Sequence, residues 1–387
     1  RVPDADRDGA AAWYWRGAWL AGILFLLVSA SLYLFLPVDS ASGNIDAFSG
    51  DGFTVGWILQ DTTTELLPGD IIQEIDGESL AYWFQPGNNQ AAESQQGTLL
   101  YTVKRDDKVL QIEVTPNRLQ FSKISQAVWG GVAAAILLLV VGIFLLSNPT
   151  NRQANQVLML CCTSAAVYLF TCAFGFQASM LRNHWAFWVQ LVINQLSYAG
   201  LFASTLHLVL EFFPRRIRIY WDYQRLVLIL IYTFTPFILL VTFLTIPGWE
   251  EKLYWLNKAG LAAVCIQFTT TVVYILNHVL TDRNLMAYVI RKWLLFGCLF
   301  SISLAVLSFK LSGAYSLPFR AGHILVGENP TLLTSEPGWL FLVLLPFYIT
   351  SSISRRHFLK IDRLLMRAFV YLSALLFYAL MYTGLIY

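Results

Sequence analysis

Long apolar segments separated by short polar connections run through most of this 387-residue chain. A spanning helix needs about 20 predominantly apolar residues, and continuous apolar runs, unlike alternating ones, are typical of helical spans. The pattern predicts nine spanning helices, at residues 17–36, 124–147, 156–176, 187–213, 226–246, 259–280, 294–312, 339–352 and 368–387. We therefore expect a polytopic α-helical membrane protein.

One long polar stretch, residues 37–123, interrupts this pattern between the first and second predicted spans. In this insert, Pro68-Gly69 favours a tight turn, because proline presets φ and glycine accepts a positive φ. The residues that follow predict a strand over 71–75, closed by a hairpin turn at Asp76-Gly77.

The insert resembles the PDZ family. The segment Leu67-Pro68-Gly69-Asp70-Ile71-Ile72-Gln73-Glu74-Ile75-Asp76-Gly77 is similar to its L-P-G-D-x-I-x-x-I-D-G element. Residues 99–109 are similar to the strand–R-D-G-K–strand closing hairpin of that family, with Asp107 where glycine is usual. The resemblance therefore implies a second hairpin with its turn at Asp106-Asp107. The resemblance implies a small mixed α/β domain that binds an extended peptide by strand addition.

The same resemblance implies a binding loop at residues 49–53, followed by a strand over 54–59. The ligand-binding residues would be Gly50, Gly52, Phe53 and Thr54. Asp51 disfavours capture of a carboxylate, so a domain that packs on neighbouring loops and binds no free peptide is the alternative. Residues 61–65 leave little room for the first PDZ helix, and residues 82–96 are expected to replace or shorten the second.

Composition places most of the chain in lipid. Hydrophobic residues make up 57% of it and charged residues 13%, against about 25% charged residues in soluble domains. The net charge is +2 and no nucleic-acid-binding motif is visible, so no nucleic-acid partner is expected. The five cysteines lie in apolar segments without metal-ligand spacing, which predicts neither a disulfide framework nor a metal site.

The distribution of Lys and Arg predicts the orientation. With a cytoplasmic N-terminus, sixteen of these residues fall in cytoplasmic segments and four in the short outer loops, as the positive-inside rule requires. The insert is then extracytoplasmic. Because Tyr387 lies within an apolar run, we expect a tenth span and a cytoplasmic part to follow.

Polar residues within the predicted spans would mark a transport path if they formed a chain across the membrane. His207 and Glu211 are four residues apart and share a helix face; a structural hydrogen bond between helices is the alternative. No H-E-x-x-H, G-x-S-x-G or P-loop motif occurs in the sequence. No catalytic residue is therefore predicted in this chain.

Two basic motifs resemble multi-span bacterial sensor histidine kinases. The run Leu206-His207-Leu208-Val209-Leu210-Glu211-Phe212-Phe213-Pro214-Arg215-Arg216 is similar to the L-H-F-x-L-x-F-P-R-R end of a membrane helix in that group. Residues 355–371 resemble its R-x-x-L-F-D-I-D-R-x-I-x-R-T-L-V-Y linker, with departures at Lys360 and Ala368. One helix, a PDZ-like outer domain and then many helices resemble the competence-pheromone receptor kinases (ComP-like).

This resemblance implies a bacterial inner (cytoplasmic) membrane protein in four parts. They are a cytoplasmic tail with the first span (1–36), the PDZ-like extracytoplasmic domain (37–123), a seven-helix sensor bundle (124–352) and a cytoplasmic linker with the ninth span (353–387). Arg363 and Arg367 join His207 and Glu211 as implied signal-coupling residues. ATP and Mg²⁺ are expected only in a kinase domain beyond this chain.

The function expected on this basis is the membrane sensor module of a two-component histidine kinase that detects an extracytoplasmic ligand, such as a peptide. Membrane lipid, a second copy in a homodimer and a response regulator are the implied partners. The alternative is a non-enzymatic scaffold or transport accessory protein that recruits an envelope protein through its PDZ-like domain.

Overall fold

The computed structural model describes residues 5–43, 48–49, 51–59, 65–85, 97–120, 123–124, 126–147, 152–212 and 224–281. In chain order, its elements are α1 (Ala5–Phe35), β1 (Ala41–Gly43), β2 (Phe48–Ser49), β3 (Gly52–Thr54), β4 (Trp57–Ile58), β5 (Ile71–Ile75), β6 (Glu78–Ser79), α2 (Leu80–Trp83), β7 (Leu99–Arg105), β8 (Lys108–Val114), α3 (Gln126–Ser147), α4 (Arg152–Phe174), β9 (Phe176–Gln177), a 3₁₀ helix (Ala178–Arg182), α5 (His184–Phe212), α6 (Gln224–Thr245) and α7 (Trp249–Thr281).

Long helices occupy the positions of the first six predicted spans. Three stretches, Gly17–Phe35, Asn155–Phe174 and Leu226–Thr245, are long and apolar enough to cross a membrane, and α3 contains a shorter apolar stretch, Gly131–Ile143. The chain is thus helix-rich, with apolar helices suited to a membrane and one small β region. The last three predicted spans and their linker lie outside the described residues.

Helix α6 shows why these helices suit a membrane. Large apolar side chains on one of its faces are between 54% and 72% exposed: Leu226, Ile229, Leu230, Phe237, Leu240 and Leu244. Their spacing of three, four and seven residues makes a continuous stripe. A monomeric soluble protein rarely exposes so long an apolar stripe, whereas lipid tails solvate it.

The insert forms two small antiparallel sheets. The larger has the strand order β2-β3-β5-β7-β8, with β6 paired to β5. The smaller has the order β4-β1-β9, and its strand β9 comes from the connection between α4 and α5. Reciprocal backbone hydrogen bonds of 2.9 Å between Val38 and Asn117 bring the two ends of the insert together. The first and last segments of the insert therefore lie side by side.

Both predicted hairpin turns are confirmed. Asp76 and Gly77 have φ values of 55° and 79° between the paired residues Ile75 and Glu78. Asp106 and Asp107 have φ values of 47° and 62° at the tip of the β7–β8 hairpin. Positive φ at both central residues is typical of a type I′ turn, which matches the twist of the flanking strands.

The positive φ of Asp107 allows a test of the second hairpin turn. Replacing Asp107 with glycine is expected to stabilise the insert by about 0.5–1 kcal/mol, because glycine adopts a positive φ without steric strain. The side chain lost is 93% exposed and forms an ion pair of 3.2 Å with a half-exposed Lys104, and such surface pairs contribute little. Hydrogen exchange of the β7 and β8 amides should slow; faster exchange would show that the ion pair outweighs the strain.

The predicted Pro68-Gly69 turn is also confirmed, and Asp70 explains its link to the second hairpin. The Asp70 backbone N–H donates to the Leu67 carbonyl at 3.1 Å, and Gly69 has a φ of 95°. The buried Asp70 carboxylate accepts a bidentate pair from Arg105, Nε to Oδ1 and Nη2 to Oδ2, each 2.7 Å. It also accepts the Leu67 N–H at 2.8 Å. One carboxylate therefore holds the turn and β7 together.

The single strand predicted over 54–59 is wrong. Gly52–Thr54 belongs to the larger sheet and Trp57–Ile58 to the smaller one. The chain changes sheet at Gly56, whose N–H donates to the Ser42 carbonyl at 2.7 Å. In the region of the expected second helix, only the single turn of α2 falls within the described residues. Of residues 61–65, which leave little room for the first helix, only Glu65 is among the described residues.

Candidate functional site

The insert and the helices share one hydrophobic core. Buried sheet residues such as Phe53 and Val103 belong to the same cluster as Phe174, Phe187 and Leu253, which lie near the ends of α4, α5 and α7. Phe187 contacts Phe48 and Phe84 of the insert edge-on, with ring centroids 5.4 Å apart in both pairs. We call this end of the helices, where the insert packs, the insert end.

A strand pair joins the insert to the α4–α5 connection. Strand β9 pairs with β1 in antiparallel register, with Ser42 opposite Gln177 and Gly43 opposite Phe176. The Ser42 hydroxyl donates to the Phe174 carbonyl at 2.7 Å. All these residues are buried, so β1 is held directly against the end of α4.

Gly175 allows this close approach. Its φ is +66°, and an added Cβ would lie 2.6 Å from Trp57 Cζ2 and 2.8 Å from the Gly43 carbonyl oxygen. Neither the backbone conformation nor the space admits a side chain. The residue between α4 and β9 is therefore restricted to glycine by its contact with the insert.

A buried hydrogen-bond chain adds α1 and α5 to this junction. The Tyr33 hydroxyl donates to the Gly175 carbonyl and accepts from Gln190 Nε2 at 2.8 Å. Gln190 Oε1 in turn accepts from the Ser29 hydroxyl at 2.8 Å. Tyr33, Gln190 and Ser29 are each 0% exposed. The chain thus runs from α1 through α5 to the segment that pairs with the insert.

Asp39 connects the insert directly to the α4–α5 connection. Its Oδ2 accepts the Tyr101 hydroxyl of β7 at 2.6 Å and the Ser179 backbone N–H of the 3₁₀ helix at 2.9 Å. Burial raises the pKa of the Asp39 carboxyl to about 6, and the bonds from Tyr101 and Ser179 oppose that rise. Burial likewise raises the pKa of Tyr101 well above its ordinary value, so the tyrosine remains a donor.

Arg182 makes a more peripheral link. Its guanidinium lies 3.8 Å from the Asp76 carboxylate and 5.7 Å from the centroid of the Trp83 ring. The junction therefore includes hydrophobic packing, a strand pair, buried hydrogen bonds and an ion pair. We define it as Tyr33, Asp39, Ser42, Tyr101, Gly175, Gln177, Ser179, Arg182 and Gln190.

The residues predicted to bind a ligand occupy a closed strand. Gly52, Phe53 and Thr54 form β3; Gly50 lies outside the described residues. Phe53 is 0% exposed and pairs with Phe48 on one edge of the strand and with Ile72 on the other. A peptide strand added at Gly52 and Phe53 would have to displace β2.

Of the predicted signal-coupling residues, His207 and Glu211 lie in α5, and Arg363 and Arg367 lie outside the described residues. His207 is buried, and its Nδ1 is 3.1 Å from the Tyr232 hydroxyl of α6. Nearby, Gln267 Nε2 of α7 donates to the Ile231 carbonyl at 3.0 Å. These bonds join the three helices α5, α6 and α7 within their buried core.

Sequence reasoning missed the junction residues. Asp39 reads as an ordinary loop residue after a helix, and the two residues of β9 are too few to show a strand pattern. The one available signal was Gly175 beside an aromatic residue at the end of an apolar run. Within the described ranges, no group of three or more His, Cys, Asp or Glu side chains is arranged to hold a metal ion.

The chain matches no protein-family model, no curated protein and no solved structure. Chemically, the junction offers a strand pair, buried hydrogen bonds and an ion pair between the insert and the helices.

Proposed function

We propose that this chain is the membrane sensor module of a two-component histidine kinase, in which the insert and adjoining loops detect an extracytoplasmic ligand. The observation that carries the proposal is the shared junction. An insert that only recruited a partner would need no more than a tether, whereas this one contributes a strand, β1, to a sheet completed by the α4–α5 connection.

The junction supplies the coupling that a sensor requires. A ligand shifts a conformational equilibrium only if it binds two states with different affinities. A ligand that displaces the insert would change the Asp39–Ser179 and Tyr33–Gly175 bonds together, and both reach the helices. The His207–Tyr232 bond continues the path between α5 and α6.

On this proposal the insert is extracytoplasmic, the chain forms a homodimer in a bacterial inner membrane, and a kinase domain acts on a response regulator. The charge distribution supports the orientation. The two basic motifs support the link to histidine kinases, and the tight turns of the insert support its likeness to PDZ domains.

A scaffold function is the second candidate, and one feature favours it. Strand β8 ends the larger sheet, and within the described residues its outer edge has no partner strand. Val109 and Leu110 on this strand are 63% and 36% exposed. An exposed edge of this kind accepts an added strand from another protein, and an envelope protein would be recruited there.

Autophosphorylation separates the two candidates. The full-length gene product in proteoliposomes is incubated with labelled ATP and Mg²⁺, and the phosphate is tested for stability in acid and base. A sensor kinase is expected to gain acid-labile, base-stable phosphate. Absence of such phosphate from an intact, folded protein would contradict the kinase proposal and favour the scaffold.

A further inference from the structure

Three aromatic rings and one lysine form an unusual cluster at the insert end. Trp188 of α5, Phe243 of α6 and Trp249 of α7 pack against one another, with centroid separations of 5.6 Å, 5.1 Å and 6.3 Å. Their planes are inclined at 81°, 54° and 59°. We call these three rings the aromatic box.

Lys252 lies against two of the three rings of the aromatic box. Its Nζ lies 4.5 Å from the centroid of Phe243 and 4.3 Å from that of Trp249, well within the range of a cation–π interaction. The residue is only 9% exposed. The faces of these two rings attract the ammonium charge through their quadrupoles.

Lys258 provides a contrast with Lys252. Lys258, two turns further along α7, lies 5.4 Å from the centroid of a single ring, Tyr254, and is exposed. That pair is an ordinary surface contact. The aromatic box surrounds its ammonium from more than one side, which is the geometry that proteins use to recognise organic cations.

We propose that the aromatic box is a binding site for an alkylammonium group, in which Lys252 is an internal occupant that exchanges with the ligand. The three rings are themselves only partly buried, so the box is open to an entering cation. The ligand class is a quaternary ammonium, carried either by a free ion or by a choline lipid head group. This proposal does not depend on the kinase function.

Binding is tested first with tetramethylammonium. The full chain is placed in nanodiscs of phosphatidylglycerol, and binding is measured by calorimetry. Lys252→Ala vacates the box and is expected to bind the ion about tenfold more tightly than the wild type. Adding Trp249→Leu should abolish that binding, whereas Lys258→Ala should behave as the wild type. No saturable binding that depends on Trp249, in a Lys252→Ala protein with the wild-type unfolding temperature, would overturn the proposal.

A second measurement uses the wild-type protein. It tests the proposal even if the Lys252→Ala variant fails to fold. Tetramethylammonium has no reactive amine, so acylation of each lysine can be followed by peptide mass spectrometry in its presence. Displaced Lys252 should react several-fold faster as the ion is added, and Lys258 should not change. If Lys252 reacts faster in phosphatidylcholine nanodiscs than in phosphatidylglycerol nanodiscs, without added ion, the lipid head group is the source of the bound quaternary ammonium. Unchanged Lys252 reactivity in both experiments would overturn the proposal.

Discussion

Replacing Asp70 with alanine is expected to lower the free energy of unfolding of the insert by about 3 kcal/mol. The substitution leaves Arg105 without its bidentate carboxylate and the Leu67 N–H without its acceptor. Asp70 is 1% exposed and the Arg105 side chain 28% exposed, so water replaces the lost bonds only in part. Hydrogen exchange of the β5 and β7 amides, followed by mass spectrometry in nanodiscs, should accelerate by about a hundredfold.

Lys104→Ala is the matched control, because it removes the exposed ion pair of the same hairpin. The Lys104 and Asp107 side chains are 42% and 93% exposed, and loss of such a pair should change stability by less than about 1 kcal/mol. Equal effects of Asp70→Ala and Lys104→Ala would refute the view that Asp70 links the turn to β7.

Stability of the junction is expected to depend on pH through Asp39. Burial raises the pKa of its carboxyl from 3.8 to about 6 in the folded protein. The folded state therefore binds the proton more tightly than the unfolded state. The contribution of Asp39 to the free energy of unfolding is highest below pH 4. It falls by about 3 kcal/mol in total as the pH rises towards 6. Above that window, the charged carboxylate remains buried at constant cost.

Asp39→Asn isolates this effect. Its amide oxygen is able to accept the Tyr101 hydroxyl and the Ser179 N–H without carrying a charge. Urea-dependent pulse proteolysis of both proteins between pH 4 and 8 gives the difference in stability. We expect the two to be alike near pH 4 and the asparagine variant to be more stable by about 2–3 kcal/mol near pH 7.5. Parallel curves for the two proteins would show that Asp39 is not buried as described.

The elements predicted correctly are those whose cause is local. Asp76-Gly77 forms its turn because two adjacent residues accept a positive φ, and no distant contact is needed. The six long helices coincide with apolar runs, three of which are long and apolar enough to cross a membrane, and a helix satisfies its backbone hydrogen bonds within its own segment. In both cases a few neighbouring residues contain the physical reason for the structure.

The elements that sequence reasoning missed depend on distant contacts. Ser42 and Gln177 pair across 135 positions, and neither residue type favours a strand. The predicted strand over 54–59 divides because Gly56 bonds to Ser42 in a different sheet. Asp39 is significant only once Tyr101 and Ser179 are beside it, and the aromatic box requires rings from three separate helices.

The pairing of β1 with β9 is tested most directly by asking whether the insert is joined to the α4–α5 connection in the membrane. Ser42→Cys and Gln177→Cys are combined in the full chain after its native cysteines are replaced, and native membranes are oxidised. The paired register of these residues predicts a cross-link in most molecules, detected by mass spectrometry as one peptide that contains both positions, and none in either single variant. Two cysteines that react readily with maleimide but do not cross-link would contradict the account, because the insert would then have no strand through which to move the helices.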